Sequence, residues 1–200
     1  MFFKKKEKPS GPIDFLVVGL GNPGKKYEAT RHNTGFMALE ALAEKCDVKV
    51  DRVRFQSFTG EATIGEKRVM LMMPQTYMNN SGQAVREAMQ FYKLSPEQVL
   101  VMFDDISLPV GTIRVRRKGS SGGQKGMENI IFLAGSDAFP RVKLGVGQKP
   151  HPDYDLAAWV LSKYTDAEKK SVLEAAKNAA EAACMIVGGD IDGAMNRYSR

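Results

Sequence analysis

The sequence predicts an α/β domain built on a largely buried sheet, and three observations predict it. Short apolar runs of strand length alternate with stretches of helical periodicity along the whole chain, the pattern of interleaved strands and helices. Runs such as "FLVVG" and "VLVMF" are continuously apolar, as strands covered on both faces are. At 200 residues the chain is long enough for one sizeable core, and no internal repeat or domain-scale linker divides it.

Each element has its own signal. Residues 1–12 read as a flexible extension, because Pro9, Ser10, Gly11 and Pro12 punctuate the chain before the domain, residues 13–200, begins. "IDFLVVGL" is the first buried strand, and "TGFMALEALAEKC" a helix with Phe36, Leu39, Ala43 and Cys46 at helical spacing. Residues 53–73 read as strands broken at Gly60 and Gly65 and ended by Pro74. "SGQAVREAMQFYKL" is a helix with Ser81 as N-cap and Val85, Ala88, Met89 and Tyr92 on one face. "EQVLVMFDD" is a strand that delivers Asp104 and Asp105 at its end, and "TIRVRR" a strand whose polar face is all arginine. The loop "KGSSGGQKG", the short helix "MENIIFLAG" and the strand "RVKLGVG" follow. Thr165 and Glu168 form a capping box for a last helix carrying Leu173, Ala176, Ala180, Ala183 and Val187, stopped by Gly188 and Gly189.

Composition narrows the function classes. Hydrophobic residues at 43% and charged residues at 26% exclude a disordered or fibrous chain. A net charge of +6 points to a polyanionic partner, nucleic acid first. Cys46 and Cys184 lie among apolar residues in helical stretches, which suggests buried thiols in a reducing compartment rather than a disulfide framework or a metal site. No apolar run reaches the roughly 20 residues that cross a bilayer, and "MFFKKKEKPSGP" lacks the apolar region of a secretory signal. The expected location is the cytoplasm, with no membrane partner.

"GLGNPG", residues 19–24, matches the dinucleotide-binding pattern G-x-G-x-x-G. The context of that pattern is missing: polar, aperiodic "KKYEATRHN" follows instead of a helix, and the positions about 20 residues on, near Glu40 and Glu44, fall in a helix rather than at the end of a second strand. A nucleotide-binding oxidoreductase is therefore a distant reading. The glycines still permit a tight turn and close approach to the backbone, and they carry Asn22 into whatever site forms there.

His32 and His151 are the two histidines. His151 sits between prolines in a surface loop, whereas His32 lies ten residues past Asn22, just before a helix, so His32 is the better general base. Asp104, at the carboxyl end of a buried strand, is where open α/β sheets gather catalytic groups. Accepting from one imidazole nitrogen, it would leave the other to take a proton from water. Asn79, after another strand, could donate to a developing oxyanion. These groups suit hydrolysis of an activated ester by water, with no metal, cofactor or covalent nucleophile.

"VVGLGNPGKKYEATRHNTGF", "PQTYMNNSGQAV", "VMFDDISLPVGTIRVRRKGSSGGQKGMENII" and "FPRVKLGVGQKP" together closely resemble the bacterial peptidyl-tRNA hydrolase family, in order and spacing, over roughly residues 14–198. The resemblance implies a single domain with a twisted mixed sheet flanked by helices, a monomer, and cleavage of the ester between a peptide and the 3′ end of tRNA. By motif, His32 would activate water, Asp104 would support it, and Asn22 would separate peptidyl-tRNA from aminoacyl-tRNA. Tyr27, Tyr77 and Asn79 would line the substrate site, the tyrosines offering stacking surfaces for the 3′ nucleotides. An amide at Asn22 could both donate to a peptide carbonyl and accept from an amide N–H. The alternative is a binding-only relative, like plant organelle proteins of this fold that assist intron splicing.

The chain departs from the family in one motif: many members read "GGHNG" where this chain reads "GGQKG", which puts Lys125 in place of the substrate-binding asparagine. Lysine donates but cannot accept, and its charge suits a phosphate. Arg114, Arg116, Arg117 and Lys118, joined by Lys143 if the strands are neighbours, form a candidate track for the tRNA backbone. "HPDYDLAAWVLSKY" resembles a lid over the peptide channel, in which Trp159 either anchors the cover or packs as an ordinary tryptophan.

Overall fold

In the computed structural model, which describes residues 11–199, the strands are β1 (Phe15–Gly19), β2 (Arg52–Arg54), β3 (Ser57–Ile64), β4 (Lys67–Pro74), β5 (Val99–Asp105), β6 (Ile113–Arg116) and β7 (Arg141–Gly145). The helices are α1 (Thr34–Lys45), α2 (Ser81–Tyr92), α3 (Lys125–Ala134), α4 (Leu156–Val160), α5 (Asp166–Val187) and α6 (Ile191–Tyr198). The strands form one mixed sheet in the order β2-β3-β4-β1-β5-β7-β6. β4, β1, β5 and β7 run parallel, while β2, β3 and β6 pair antiparallel. Residues 1–10 of the expected extension lie outside the described residues, and Gly11 and Pro12 are exposed without regular structure.

Period-two alternation sends the central strand's side chains to two cores. Phe15 and Val17 pack with Leu39 of α1, Ala179 of α5 and Ala194 of α6. Leu16 and Val18 pack with Val85 and Ala88 of α2 and Met127 and Ile130 of α3. Both layers are needed to bury a sheet whose middle strands carry no polar face. Each fully buried Leu of this sandwich contributes about 1.5–3 kcal/mol. Among the described residues no helix is long and apolar enough to cross a membrane.

One close approach positions the site. A Cβ on Gly19 would lie 2.4 Å from the Gly35 carbonyl oxygen, and one on Gly35 would lie 2.4 Å from that of Met102. Only glycine at both positions lets the first turn of α1 rest on the ends of β1 and β5. That contact sets residues 31–33, just before α1, beside the end of β5.

Several sequence expectations need correction. Gly60 does not break a strand; it lies inside β3, where a Cβ would meet the Lys49 carbonyl oxygen at 2.4 Å, so its role is close packing. Ser81 is the first residue of α2, not its cap: its Oγ donates back to the Met78 carbonyl, and Asn129 of α3 instead accepts from the Gly82 N–H. α3 begins at Lys125 with Gln124 as its N-cap, two residues earlier than its apolar spacing indicates. Ala176, Ala180, Ala183 and Val187 of α5 are buried as expected, but Leu173 is 60% exposed, because at this end of the helix Val172 takes the inward place against Val146 and Tyr164. α6, which the sequence reading did not separate from the tail, returns along β6. The Thr165–Glu168 capping box forms, and Cys46 and Cys184 are free, half-buried thiols that burial pushes up in pKa.

Candidate active site

The carboxyl ends of the parallel strands carry the candidate groups, at the edge where open α/β sheets collect ligands. Asn22 follows β1, Tyr77 and Asn79 follow β4, and Asp104 is the penultimate residue of β5. His32 occupies a single 3₁₀ turn, Arg31–Asn33, immediately before α1. Its Nδ1 lies 2.8 Å from Asp104 Oδ2, with the histidine side chain 13% exposed and the aspartate 3%. Burial alone would lower the imidazole pKa; the Asp104 charge and hydrogen bond outweigh it and leave His32 above its ordinary 6.5. The pair leaves Nε2 without a protein partner among the described residues.

Asn22 is 8% exposed and is held from three directions. Its main-chain N–H donates to Asn33 Oδ1 at 2.9 Å, and its carbonyl accepts from Asn33 Nδ2 at 2.9 Å. Asn33 thereby fixes the glycine turn beside the residue that follows His32. Asn22 Oδ1 accepts from the Met78 N–H at 2.8 Å. A main-chain N–H can only donate, so this bond fixes the orientation of the amide, while Nδ2 makes no hydrogen bond among the described residues. The oxygen keeps its second lone pair, so the amide retains both a donor and an acceptor. Tyr27 and Tyr77 meet edge to face with centroids 6.3 Å apart, and Tyr77 is 51% exposed. Tyr77 also has φ 59°, a strained value for a non-glycine residue, of the kind that clusters at working sites. Asn79 is exposed and its side chain makes no hydrogen bond among the described residues.

A cavity of about 360 Å³ opens beside His32 and Asp104, lined further by Ile106, Gln124, Lys125, Leu156 and Val160. Lys125 sits at its rim, exposed, with Nζ 3.0 Å from Glu128. α4 provides the apolar wall, its first turn capped by Asp155, which accepts from Ala157 and Ala158. Trp159 points away from the cavity: its indole N–H donates to Gly147, and the Arg31 guanidinium stacks on it at 3.9 Å.

The basic residues divide. β6 runs antiparallel to β7 with Arg114 opposite Lys143, at the site end of the sheet, and Arg116 opposite Arg141. Lys143 pairs with Asp105 at 2.9 Å. Arg117 pairs with Asp192, and Arg117 and Lys118 line a separate hollow of about 850 Å³ with Asp14, Lys67 and Glu97. That hollow lies at the opposite end of the strands. Of the five residues expected to follow the tRNA backbone, Arg114 and Lys143 stand side by side, while Arg117 and Lys118 line the far hollow.

The sequence profile of peptidyl-tRNA hydrolase matches residues 16–200. The chain belongs to the peptidyl-tRNA hydrolase family. A peptidyl-tRNA hydrolase from Caldanaerobacter subterraneus subsp. tengcongensis is 49% identical over 92% of this chain and 99% of its own length. One from Alkaliphilus oremlandii is 46% identical, with 92% and 98% covered. The crystal structure of peptidyl-tRNA hydrolase from Acinetobacter baumannii superposes with a TM-score of 0.87 at 32% identity, covering 95% of this chain and 99% of that one. The single α/β domain with its mixed sheet is thus the fold of peptidyl-tRNA hydrolases.

Three residues of this peptidyl-tRNA hydrolase family site escaped the sequence reading. Asn33 stands inside the quoted "TRHN", yet nothing in its type indicates that it would clamp Asn22. Arg31, 3% exposed, makes a two-pronged ion pair with Glu168 at 3.1 and 2.9 Å, bonds the Val146 carbonyl, and ties the α4 segment to the turn that carries His32. Gln124 was noticed only as a departure beside Lys125.

Proposed function

We propose that this protein hydrolyses the ester joining a peptide to the 3′ end of tRNA, with His32 as general base. The observation that carries this reading is the 2.8 Å contact from His32 Nδ1 to Asp104 at the edge of an apolar-walled cavity. Asp104 accepts from Nδ1–H, which places the lone pair on Nε2. Nε2 takes a proton from water as the water oxygen bonds to the ester carbonyl carbon. Asp104 holds the resulting imidazolium, which then gives its proton to the departing 3′ oxygen as the C–O bond breaks. The products are a peptide with a free carboxyl group and a tRNA with a free 3′ hydroxyl. Such a base supplies about 10²- to 10⁴-fold in rate.

The remaining groups act on position. Asn22 Nδ2 donates to the first peptide carbonyl, which an unblocked aminoacyl ester lacks. Asn79, exposed beside the turn, donates to the oxyanion. Tyr27 and Tyr77 receive the terminal bases, and Arg114, Lys143 and Lys125 meet backbone phosphates without reading sequence. The enzyme works as a cytoplasmic monomer on tRNA.

The test is release of N-acetyl-amino acid from N-acetyl-aminoacyl-tRNA, comparing wild type with His32→Ala and using unblocked aminoacyl-tRNA as the control. Rapid release from the blocked substrate that depends on His32 is the expected result. Tight tRNA binding without release would move the protein to the binding-only class.

A further inference from the structure

Gln124 is buried to 8% exposure, and every polar group of its amide is engaged. Oε1 accepts from the Met127 N–H at 2.7 Å, capping α3. Nε2 donates to Asp104 Oδ1 at 3.0 Å and contacts Met78 Sδ at 3.0 Å. The orientation has no alternative, because a main-chain N–H needs an acceptor opposite it and so turns the NH₂ group toward the carboxylate. Asp104 is consequently gripped on both oxygens, Oδ2 by His32 and Oδ1 by Gln124.

The surrounding charges do not compete for this role. Asp105 on β5 is held by Lys143 of β7 and by Ser107, Lys125 of α3 reaches Glu128, and Arg31 reaches Glu168. The Tyr164 hydroxyl is paired with Thr34. Among the described residues Gln124 is the one neighbour that bonds the Asp104 carboxylate besides His32, and it is a group that does not titrate.

We infer that Gln124 is a positioning residue for the reaction: its neutral amide fixes Asp104 against His32 and keeps a second ionisation out of the acid limb. The "GGQKG" motif thus carries a function at its glutamine and not only at Lys125. This rests on His32 being the base. A donor on Oδ1 draws charge from the carboxylate most strongly while His32 is neutral. Losing it therefore raises the His32 titration point and loosens the ring.

The test compares kcat, KM and the pH profile of wild type with Q124E, Q124L and Q124H, and follows the His32 ring by ¹⁵N NMR titration. Q124E keeps the acceptor for Met127 N–H but sets an oxygen against Asp104. It separates capping from positioning. The expected results are a kcat at least about tenfold lower for Q124E above neutral pH and for Q124L, the loss of one charge-assisted hydrogen bond, with KM within about twofold of wild type. His32 titrates higher in both, and Q124H adds a second ionisation to an acid limb that in wild type follows one proton. Wild-type kcat and an unmoved His32 titration in Q124E would overturn the inference and reduce Gln124 to a helix cap. Undiminished turnover in His32→Ala would instead defeat the base assignment, and the NMR titration would still report whether Gln124 governs the pair.

Discussion

Replacing Asp104 by asparagine should reverse the tautomer of His32. Gln124 Oε1 is committed to Met127 N–H, so its Nε2 continues to face residue 104 and claims the single oxygen of the new amide. The asparagine NH₂ is then left opposite His32 Nδ1, which must accept, and the ring proton moves to Nε2, where the base needs a lone pair. An aspartate-to-asparagine change that traps the wrong tautomer costs about 10⁴-fold in a serine protease triad. Here a fall of roughly 10³- to 10⁴-fold in the plateau kcat/KM is expected, about 4–5.5 kcal/mol of transition-state stabilisation. The pH dependence moves too. In wild type the base is neutral only above a pKa raised past 6.5, so activity rises with pH through a limb above that value; without the carboxylate, burial acts alone and the limb falls below it. Stability follows the opposite sign. A raised histidine contributes stability that is full below 6.5 and fades as pH rises through the folded value, and D104N removes it. Single-turnover release of N-acetyl-amino acid between pH 5 and 9 (~), with urea unfolding at the acidic and alkaline ends, measures both. A variant within about tenfold of the wild-type plateau, or an unmoved acid limb, would refute the tautomer argument.

Glu168→Ala should cost about 3 kcal/mol in urea unfolding, since it strands the buried Arg31 guanidinium; a loss under about 0.5 kcal/mol would show that water solvates that charge. Lys125→Asn should flatten the salt dependence of tRNA binding by roughly 0.7 in log–log slope, one phosphate contact on a single strand, and an identical slope would show that Lys125 stays with Glu128. Arg114→Ala should weaken tRNA binding by a comparable step, whereas Lys118→Ala, in the hollow at the far end of the sheet, should leave it within about twofold. Equal losses from the two substitutions would extend the tRNA track past Arg116.

Much of the fold is written in local pattern. β1 and β5 are legible because five or more consecutive apolar residues suit a strand covered on both faces, and α1 because its apolar spacing starts only after Asn33. The site is legible in part for a different reason: imidazole is rare here, with two histidines, and Asp104 is marked by its place at the end of a buried strand, so the pair stands out although its members are 72 residues apart. Amides carry no such mark. Asn33, Asn129 and Gln124 act through one or two hydrogen bonds each, to partners that only the strand order brings near. Asn22 is legible from the glycine turn that carries it, but the anchoring of its amide oxygen by Met78 N–H depends on the path of the chain after β4. The division of the basic residues likewise depends on direction: β6 is antiparallel to β7, so each step from Arg114 toward Lys118 leads away from His32.

Arg31 gives the cavity wall an unexpected character. The guanidinium that stacks on Trp159 and bonds Ser162 belongs to the residue next to the base, and the main chain adds Arg31 N–H to the Ser162 carbonyl and a bridge from Thr30 to Lys163. Any shift of α4 is thus coupled through the Trp159 stack, the Ser162 bonds and the isolated Thr30–Lys163 bridge to the turn that carries His32. A substitution at Trp159 or Ser162 would therefore reach His32 through Arg31, although neither residue lines the cavity.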